Sequence, residues 1–236
     1  MSKQVTALRM KIKSLASPDI SKTMQWFFKT GKGDYGEGDI FVGLKVPTQR
    51  KLAREFNYLK LSDLKILLGS KVHEERLISL FILVDKYEKG DDRDKDQIFS
   101  FYLKNIKRIN NWDLVDLSAP KIIGKHLLKK DRSLLYKFAL SKNLWERRVS
   151  ILSTFEFVRN NDFETTLKIA ETLLTDKHDL IHKAVGWMLR EVGKRDLTIE
   201  ENFLKLHYKK MPRTMLRYSI EKFPESKRKK YLLGKI

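Results

Sequence analysis

The sequence predicts an all-α fold in which pairs of helices stack as a solenoid. Apolar residues recur at helical spacing over long stretches, and in residues 75–87 they form a wide stripe on one face. The same spacing returns in residues 145–158, 165–174 and 181–192. The sequence has no alternating strand pattern of useful length, apart from a short extended piece that we expect at residues 39–42.

Start and stop signals divide these stretches into separate helices. Pro18, Pro47 and Pro212 stand where helices should begin, because the first turn of a helix does not need the amide hydrogen that proline lacks. Polar breaks at residues 87–92, 159–162 and 193–196 end the periodic stretches. We therefore expect separate helices joined by short polar connections.

The helices also repeat along the chain. Arg76, Trp112, Arg148 and Ala184 hold matching places in similar segments and follow one another at intervals of 36 residues. This period, with two helices per unit, is typical of HEAT-like pairs, because each pair needs its neighbours to bury its apolar stripe. We predict a single HEAT-like repeat domain over residues 1–236, a superhelical α-solenoid with a concave basic groove.

The charge of the chain indicates the kind of partner. Lysine and arginine number 49 against 30 acidic residues, which gives a formal net charge of +19. Such an excess predicts a polyanionic partner, nucleic acid first and a membrane surface second. Basic residues cluster at 125–132, 190–195, 205–217 and 226–230, although solvated outer faces would show similar clusters. The candidate DNA contacts are Lys183, Arg190, Lys194 and Arg217.

The absence of cysteine excludes several kinds of site and indicates the redox compartment of the protein. A chain with 0 cysteines has no disulfide framework and no thiolate metal site, and it suits a reducing compartment. The first residues lack the pattern of a signal peptide, and no run of apolar residues is long enough to span a bilayer. We expect a cytoplasmic, nucleoid-associated protein of bacterial type.

Two motifs resemble known sites but lack the context that those sites need. Residues 31–36 fit the pattern GxGxxG, yet they follow a predicted helix and no βαβ unit surrounds them. His178 and His182 have the spacing of a zinc motif, but Asp179 replaces the glutamate base and no third ligand is arranged nearby. We therefore predict no metal site and no nucleotide-binding loop.

The segment around Trp112 is the strongest candidate for chemistry. Trp112 and Asp116 are four residues apart and share a helix face beside an apolar stripe, where a carboxylate is costly unless it is paired. Arg148 follows one repeat later, and Trp187 lies in the repeat after that. Neighbouring repeats place equivalent positions side by side, so we expect the two tryptophans, Asp116 and Arg148 to converge on the concave face. A packed core and a structural ion pair are the plainer interpretations of these residues. Asp113 is expected to be a helix-cap or first-turn acid without a further role.

Several segments resemble the AlkD-type alkylpurine DNA glycosylases, which are DNA alkylation repair enzymes with HEAT-like repeats. The resemblance covers roughly residues 41–223. The segments that carry it are NNWDLVD at 110–116, LWERR at 144–148, KAVGWMLRE at 183–191, FVGLKVP at 41–47 and TMLRY at 214–218. It implies hydrolysis of the N-glycosidic bond of cationic N3- or N7-alkylated purines in double-stranded DNA, without a cofactor. We expect a monomer, because a solenoid that wraps DNA needs no second copy.

The resemblance also implies site residues. It places the catalytic carboxylate on Asp116, the two indoles beside the lesion on Trp112 and Trp187, and the active-site arginine on Arg148. The N-terminal aromatic contact falls near Trp26 or Phe27, of which we choose Phe27; neither has a tyrosine hydroxyl. Two alternatives remain, a non-catalytic module that binds branched or damaged DNA and a protein–protein scaffold.

Overall fold

The computed structural model describes residues 2–236, which form two compact units that meet in sequence between Ser118 and Ala119. Within these residues the secondary structure is helical, and the β-structure is limited to one isolated parallel bridge between Ile40 and Val72. The all-α prediction is confirmed, and the expected extended piece at residues 39–42 forms this bridge. The prediction of one domain over residues 1–236 stays a prediction.

The first unit contains seven α-helices and one short 3-10 helix among its described residues. In chain order they are α1 (Lys3–Ser14), α2 (Pro18–Phe27), α3 (Val46–Glu55), α4 (Leu61–Leu68), α5 (His73–Lys89), α6 (Asp92–Lys104), the 3-10 helix Ile106–Arg108 and α7 (Trp112–Asp116). The helix starts predicted at Pro18 and Pro47 are confirmed, because both prolines lie in a first turn.

Helix α5 is the centre of the first unit. Its apolar residues from Leu77 to Val84 are buried, and α3, α4, α6 and α7 pack against it. Two acidic residues at its start are buried as well. Glu75 binds the guanidinium of Arg9 from α1, with Nη2 and Oε2 2.9 Å apart. The sequence predicted a helix with one apolar stripe, whereas α5 is covered on nearly all sides.

The segment before α3 is fixed by the carboxylate of Glu74. Three successive amide groups, of Val42, Gly43 and Leu44, donate to this carboxylate over 2.9 to 3.2 Å. Gly43 has a φ of +89°, and a Cβ there would lie 2.1 Å from the carbonyl oxygen of Ser17. This conformation and this close approach require glycine. The segment thus connects α2, α3 and α5 within one unit.

The second unit begins with a π-helical turn at Pro120–Gly124. The helices that follow are α8 (Lys125–Leu127), α9 (Ser133–Ala139), α10 (Leu144–Ser153), α11 (Phe155–Arg159), α12 (Glu164–Thr172), α13 (Asp179–Gly193), α14 (Leu197–His207), α15 (Arg213–Ser219), the 3-10 helix Ile220–Lys222 and α16 (Glu225–Leu232). The start predicted at Pro212 and the breaks predicted after α11 and α13 are confirmed.

Helix α13 is the centre of the second unit and packs against α10, α14 and α15. Its contact with α15 depends on Gly186, since a Cβ there would lie 2.4 Å from the carbonyl oxygen of Met215. The two helices approach each other closely at this point because glycine has no side chain. Throughout residues 2–236, no helix has the length and apolar character that crossing a membrane requires.

Candidate functional site

Trp112 belongs to a connected cluster of five aromatic side chains in the first unit. The indole of Trp112 stacks on Phe28 with the centroids 5.0 Å apart, and Phe27 meets it edge-on at 5.9 Å. Phe28 in turn stacks on Phe41 at 4.7 Å, and the ring of His73 stacks on Phe41 at 4.4 Å. These contacts join the end of α2, the loop after it and the starts of α5 and α7. Of the two aromatic candidates at the end of α2, Phe27 is therefore the one that contacts Trp112.

Helix α7 is five residues long and holds both residues of the predicted Trp–Asp pair. The side chain of Asn111 caps it by accepting a hydrogen bond from the amide of Trp112 over 2.8 Å. Leu114 and Val115 are fully buried, whereas Trp112 and Asp116 are half-buried. The pair therefore stands beside the core and reaches solvent, as the apolar stripe predicted.

The charge of Asp116 acts on a buried phenol. Burial raises the pKa of Tyr102, the hydrogen bond between its hydroxyl and Ser118 Oγ over 2.9 Å opposes this, and the Asp116 carboxylate raises the pKa further. Asp116 thus lies close enough to Tyr102 for its negative charge to disfavour ionisation of this buried phenol.

A buried polar network lies next to this aromatic cluster. The imidazole of His73 bonds Asp113 through Nε2 over 2.8 Å and Asp39 through Nδ1 over 3.0 Å. Arg76 donates to the other oxygen of Asp39 over 2.6 Å, and the Asn111 amide donates to Asp39 over 3.0 Å. All five side chains are buried. The network therefore links the loop before α3, the first turn of α5 and the first turn of α7.

The two carboxylates keep His73 charged. Burial by itself lowers the pKa of this imidazole, but the charge and hydrogen bond of Asp113 and the hydrogen bond of Asp39 outweigh burial and raise the pKa to about 9. The pKa of Asp39 is lowered despite its burial, because His73, Arg76 and Asn111 stabilise the carboxylate. At neutral pH the group is therefore an imidazolium that donates to two carboxylates.

The expectation for Asp113 was half right. Asp113 is an acid in the first turn of α7, and its Oδ1 accepts a hydrogen bond from Leu114 over 2.8 Å. The expectation that it has no further role is wrong, since its Oδ2 binds His73 of α5. The sequence signal for this network was the run HEER at residues 73–76, four polar residues that precede the largely apolar stretch 77–84 of the same helix and are all buried.

The second unit holds the other two predicted catalytic residues. Trp187, on α13, is half-buried, lies 5.8 Å from the ring of Phe155, and donates from its indole nitrogen to Glu191 over 3.1 Å. Arg148, on α10, is buried, and its guanidinium donates to the backbone carbonyl of Leu180 in the first turn of α13. Arg148 thus has a contact that joins α10 to α13.

The predicted DNA contacts on the second unit differ in their surroundings. Three of them form ion pairs inside the unit: Lys183 with Asp179 at 2.7 Å, Lys194 with Glu191 at 2.6 Å, and Arg190 with Glu221. Arg217, on α15, is exposed. Both groups of the Lys183–Asp179 pair are exposed, and such pairs are weak, so a phosphate can compete for this lysine.

The two motifs that lacked context have structural roles. His178 caps α13, where its Nδ1 accepts a hydrogen bond from Leu180 over 3.1 Å. His182 bonds the carbonyl oxygen of Asp176 through Nε2. Residues 31–36 form turns that follow α2. Over residues 2–236 there is no group of three or more histidine, aspartate or glutamate side chains that fits a metal ion.

The predicted site residues are thus distributed over both units. Phe27, Trp112 and Asp116 belong to the first unit, where the ring of Phe27 touches that of Trp112. The others belong to the second unit: Arg148, Lys183, Trp187, Arg190, Lys194 and Arg217. The convergence of Trp187 and Arg148 with the Trp112–Asp116 pair stays a prediction from the repeat register.

Known proteins identify this class of helical protein. A solved structure described as a predicted DNA alkylation repair enzyme from Enterococcus faecalis has a TM-score of 0.69 to this chain, covers 89% of it and 97% of its own length, and is 16% identical. The chain therefore has the fold of that protein, which confirms the predicted class of all-α solenoid.

The family follows from the sequence. The sequence model of the DNA alkylation repair enzyme family matches residues 8–223, and the chain belongs to this family. The predicted family is thus confirmed, and membership implies DNA as the substrate. A comparison with curated proteins gives no match.

Proposed function

We propose that this protein is an alkylpurine DNA glycosylase that hydrolyses the N-glycosidic bond of cationic N3- or N7-alkylated purines. One observation carries the proposal: in a member of the DNA alkylation repair enzyme family, a half-buried indole and a half-buried carboxylate stand on one five-residue helix. Trp112 and Asp116 supply the two chemical groups that this reaction needs most.

The substrate explains why one carboxylate is enough. Glycoside hydrolysis generally uses an acid to protonate the leaving group and a second carboxylate as nucleophile or base. A purine alkylated at N3 or N7 already carries a positive charge, so it leaves as a neutral base without a proton donor. The remaining task is to stabilise the positive charge that develops on the sugar, which a single aspartate can do.

Asp116 takes this role in the proposed reaction. The bond between C1′ and the purine nitrogen breaks, and its electron pair neutralises the base. The oxygen of a water molecule then bonds to C1′, and the water releases one proton. The Asp116 carboxylate stabilises the oxocarbenium-like sugar and orients the water. The nearby buried phenol of Tyr102 supports this role, because a carboxylate acts more strongly beside an interior of low dielectric constant.

Trp112 would bind the cationic sugar through its π-face. Such a contact contributes roughly 0.5–2 kcal/mol, depending on how well water is excluded. Phe28 stacks on the indole almost in parallel, at 7°, and Phe27 supports it edge-on, so the orientation of the ring is fixed before DNA binds. A ring held in advance loses little entropy on binding.

The proposal assigns supporting roles to the second unit. Trp187 would present a second indole to the lesion, and Arg148 would favour the ionised form of Asp116 and contact a phosphate. Lys183, Arg190, Lys194 and Arg217 would bind the backbone of the duplex. We further propose that the protein acts as a monomer in the cytoplasm and needs no cofactor.

Release of 7-methylguanine from methylated duplex DNA tests the proposal. Asp116→Asn keeps the size of the side chain and removes its charge, and it is expected to bind DNA like the wild type while losing release. Asp85→Asn is the matched control, because Asp85 is also a half-buried carboxylate of the first unit, is paired with Lys89 at 2.8 Å, and has no proposed role.

The assay also distinguishes the alternative function. Undiminished release by Asp116→Asn would contradict the role of the carboxylate. No release by the wild type, together with tighter binding to branched than to linear DNA, would instead make the protein a non-catalytic module for branched or damaged DNA.

A further inference from the structure

An open pocket of about 680 Å³ lies at the end of α2, and the function proposed above does not use it. Its walls include Trp26, Phe27 and Lys29, and the Gly-rich loop contributes Gly31 and Asp34. A volume of this size is within the range of pockets that hold small organic groups. The pocket and the candidate site share one residue, since Phe27 lines the pocket and its ring also contacts that of Trp112.

Trp26 is the unusual residue of this pocket. Its side chain is 81% exposed, and that of the adjacent Phe27 is 56% exposed. Tryptophan is buried on average in folded proteins, so two neighbouring exposed aromatics indicate a binding surface. Phe27 is held by Phe28 and Trp112, whereas Trp26 lines the pocket with most of its side chain exposed.

The Gly-rich loop that lines the pocket together with Trp26 has a defined shape. Lys29 adopts a φ of +51° and Gly33 a φ of +83°, and the Gly33 amide donates to Glu37 over 2.8 Å. Gly36 packs against α2 so closely that a Cβ would lie 2.4 Å from the carbonyl oxygen of Phe28. The glycines therefore allow the loop to turn back on the helix and form the second wall.

The lining favours a ligand with two parts: a flat, uncharged ring that enters the pocket and a negatively charged group that stays outside it. The aromatic walls favour a planar ring, and the Asp34 carboxylate repels a phosphate but accepts hydrogen bonds from amino and ring N–H groups. Lys29 supplies a cation for a phosphate at the edge. A nucleobase attached to its sugar-phosphate strand has this chemistry, and the net charge of +19 favours the approach of such a strand.

We propose that Trp26 is a stacking platform for an unpaired DNA base, which enters this pocket while the neighbouring nucleotides occupy the site of Trp112 and Asp116. Every base has a π-face, so the platform accepts any of the four bases. The inference rests on the proposed function only in taking DNA as the partner. It gives the protein a means to prefer DNA with a disrupted base pair over intact duplex.

Two duplex probes that differ by one base test the platform. The first carries a single bulged 2-aminopurine, and the second is the same duplex with 2-aminopurine paired to thymine. The variants of the full chain are Trp26→Ala, Trp26→Phe and the matched control Tyr58→Ala, since Tyr58 is an exposed aromatic of the same unit outside the pocket. Affinity is measured by titration, and stacking is measured by quenching of 2-aminopurine fluorescence.

Trp26→Ala is expected to weaken binding of the bulged probe roughly 5- to 100-fold, the range for one lost base–aromatic stack, and to leave the paired probe within about twofold. The bound bulged base should lose its quenching in Trp26→Ala and keep it in Trp26→Phe and Tyr58→Ala. Equal losses on both probes, or no loss on the bulged one, would overturn the proposal.

Asp116→Asn separates this inference from the proposed function. The preference for the bulged probe and its dependence on Trp26 should persist in this variant, because the carboxylate has no part in stacking. If the wild type releases no base but prefers the bulged probe through Trp26, the platform stands and the glycosylase proposal fails. If base release is normal and Trp26 has no effect, the reverse holds.

Discussion

Helices α7 and α13 each present a half-buried tryptophan, but the two regions are stabilised by different means. Trp112 lies on a ring stack beside the buried charges of His73 and Asp113. Trp187 lies on a helix that is held by the close approach of Gly186 to α15 and by the hydrogen bond from Arg148. The first region is stabilised by the buried ion pair, and the second by a close helix contact that is possible because Gly186 has no side chain.

This difference teaches where each region is sensitive. A buried ion network is disrupted by removing one partner or by titrating it, whereas a close helix contact is disrupted by adding a single methyl group. Changes of each kind should therefore act on one region and leave the other intact.

Removal of the imidazolium is expected to have the largest effect on stability. His73→Ala leaves the Asp113 carboxylate buried without its partner, and breaking a buried pair in this way costs roughly 3–5 kcal/mol. His207→Ala is the control, because it removes a ring that packs on Phe203 and stands 4.0 Å from an exposed Glu171 carboxylate, but leaves no buried carboxylate unpaired, so it should cost less than His73→Ala. Urea unfolding measures both. Equal stabilities of the two variants would contradict the role of the network.

Alkaline pH is expected to weaken the first unit. The pKa of His73 rises from 6.5 in the unfolded chain to about 9 in the folded one, so its contribution is complete below pH 6.5 and is lost as pH rises to about 9. A shift of this size is worth about 3 kcal/mol. The free energy of unfolding should fall over this window in the wild type and fall much less in His73→Ala.

Glu200 in the second unit also titrates in this pH range, so its contribution must be removed before that of His73 can be measured. Burial, aided by the charge of Glu201 and opposed by Arg190 and Lys227, raises the pKa of Glu200 to about 8. A raised carboxyl pKa also makes stability fall as pH rises, here between about 4.5 and 8. Measuring the wild type and His73→Ala in a Glu200→Gln background isolates His73. If the two proteins in this background had identical profiles of stability against pH, a stabilising charge on His73 would be contradicted.

Addition of one methyl group should disturb the second region. In Gly186→Ala the new Cβ meets the carbonyl oxygen of Met215 at 2.4 Å and the Cβ of Tyr218 at 2.5 Å, so α13 and α15 must separate. Such overpacking costs about 1–3 kcal/mol. Gly69→Ala, whose Cβ would meet its nearest neighbour at 3.4 Å, should be neutral or slightly stabilising. Thermal unfolding distinguishes them, and equal melting temperatures would contradict the close packing.

The smallest expected effect concerns DNA binding by the second unit. Arg217→Ala should weaken binding to all duplexes alike and lower the slope of log affinity against log salt by about 1, as expected for one lost phosphate contact. Lys168→Ala is the control, since Lys168 is exposed but paired with Glu164 at 2.5 Å and lies outside the predicted set. An unchanged slope in Arg217→Ala would remove this residue from the interface.

The sequence predicted the parts of the site that are local. Trp112 and Asp116 share a helix start, and their spacing alone placed them side by side. It did not predict the link from His73 to Asp113, because these residues are 40 positions apart and meet only through packing of α5 and α7. Phe28 was missed for the same reason, as its place beside Trp112 depends on how the Gly-rich loop turns.

Charge was also predicted only in part. The excess of basic residues is a property of the composition, but pairs such as Lys194 with Glu191 depend on which residues share a helix face. The exposure of Trp26 could not be read from its neighbours either, since Phe27 and Phe28, the next two residues, are packed against other rings. Spacing along a helix predicts faces, whereas packing decides which faces are covered.

The rate of base release under single-turnover conditions tests the central claim most directly. With saturating enzyme and methylated duplex DNA, Asp116→Asn should release 7-methylguanine about 100-fold or more slowly than the wild type, while its affinity for the duplex stays within about twofold. Asp85→Asn should match the wild type in both measurements. A release rate for Asp116→Asn close to that of the wild type, with affinity unchanged, would contradict the account.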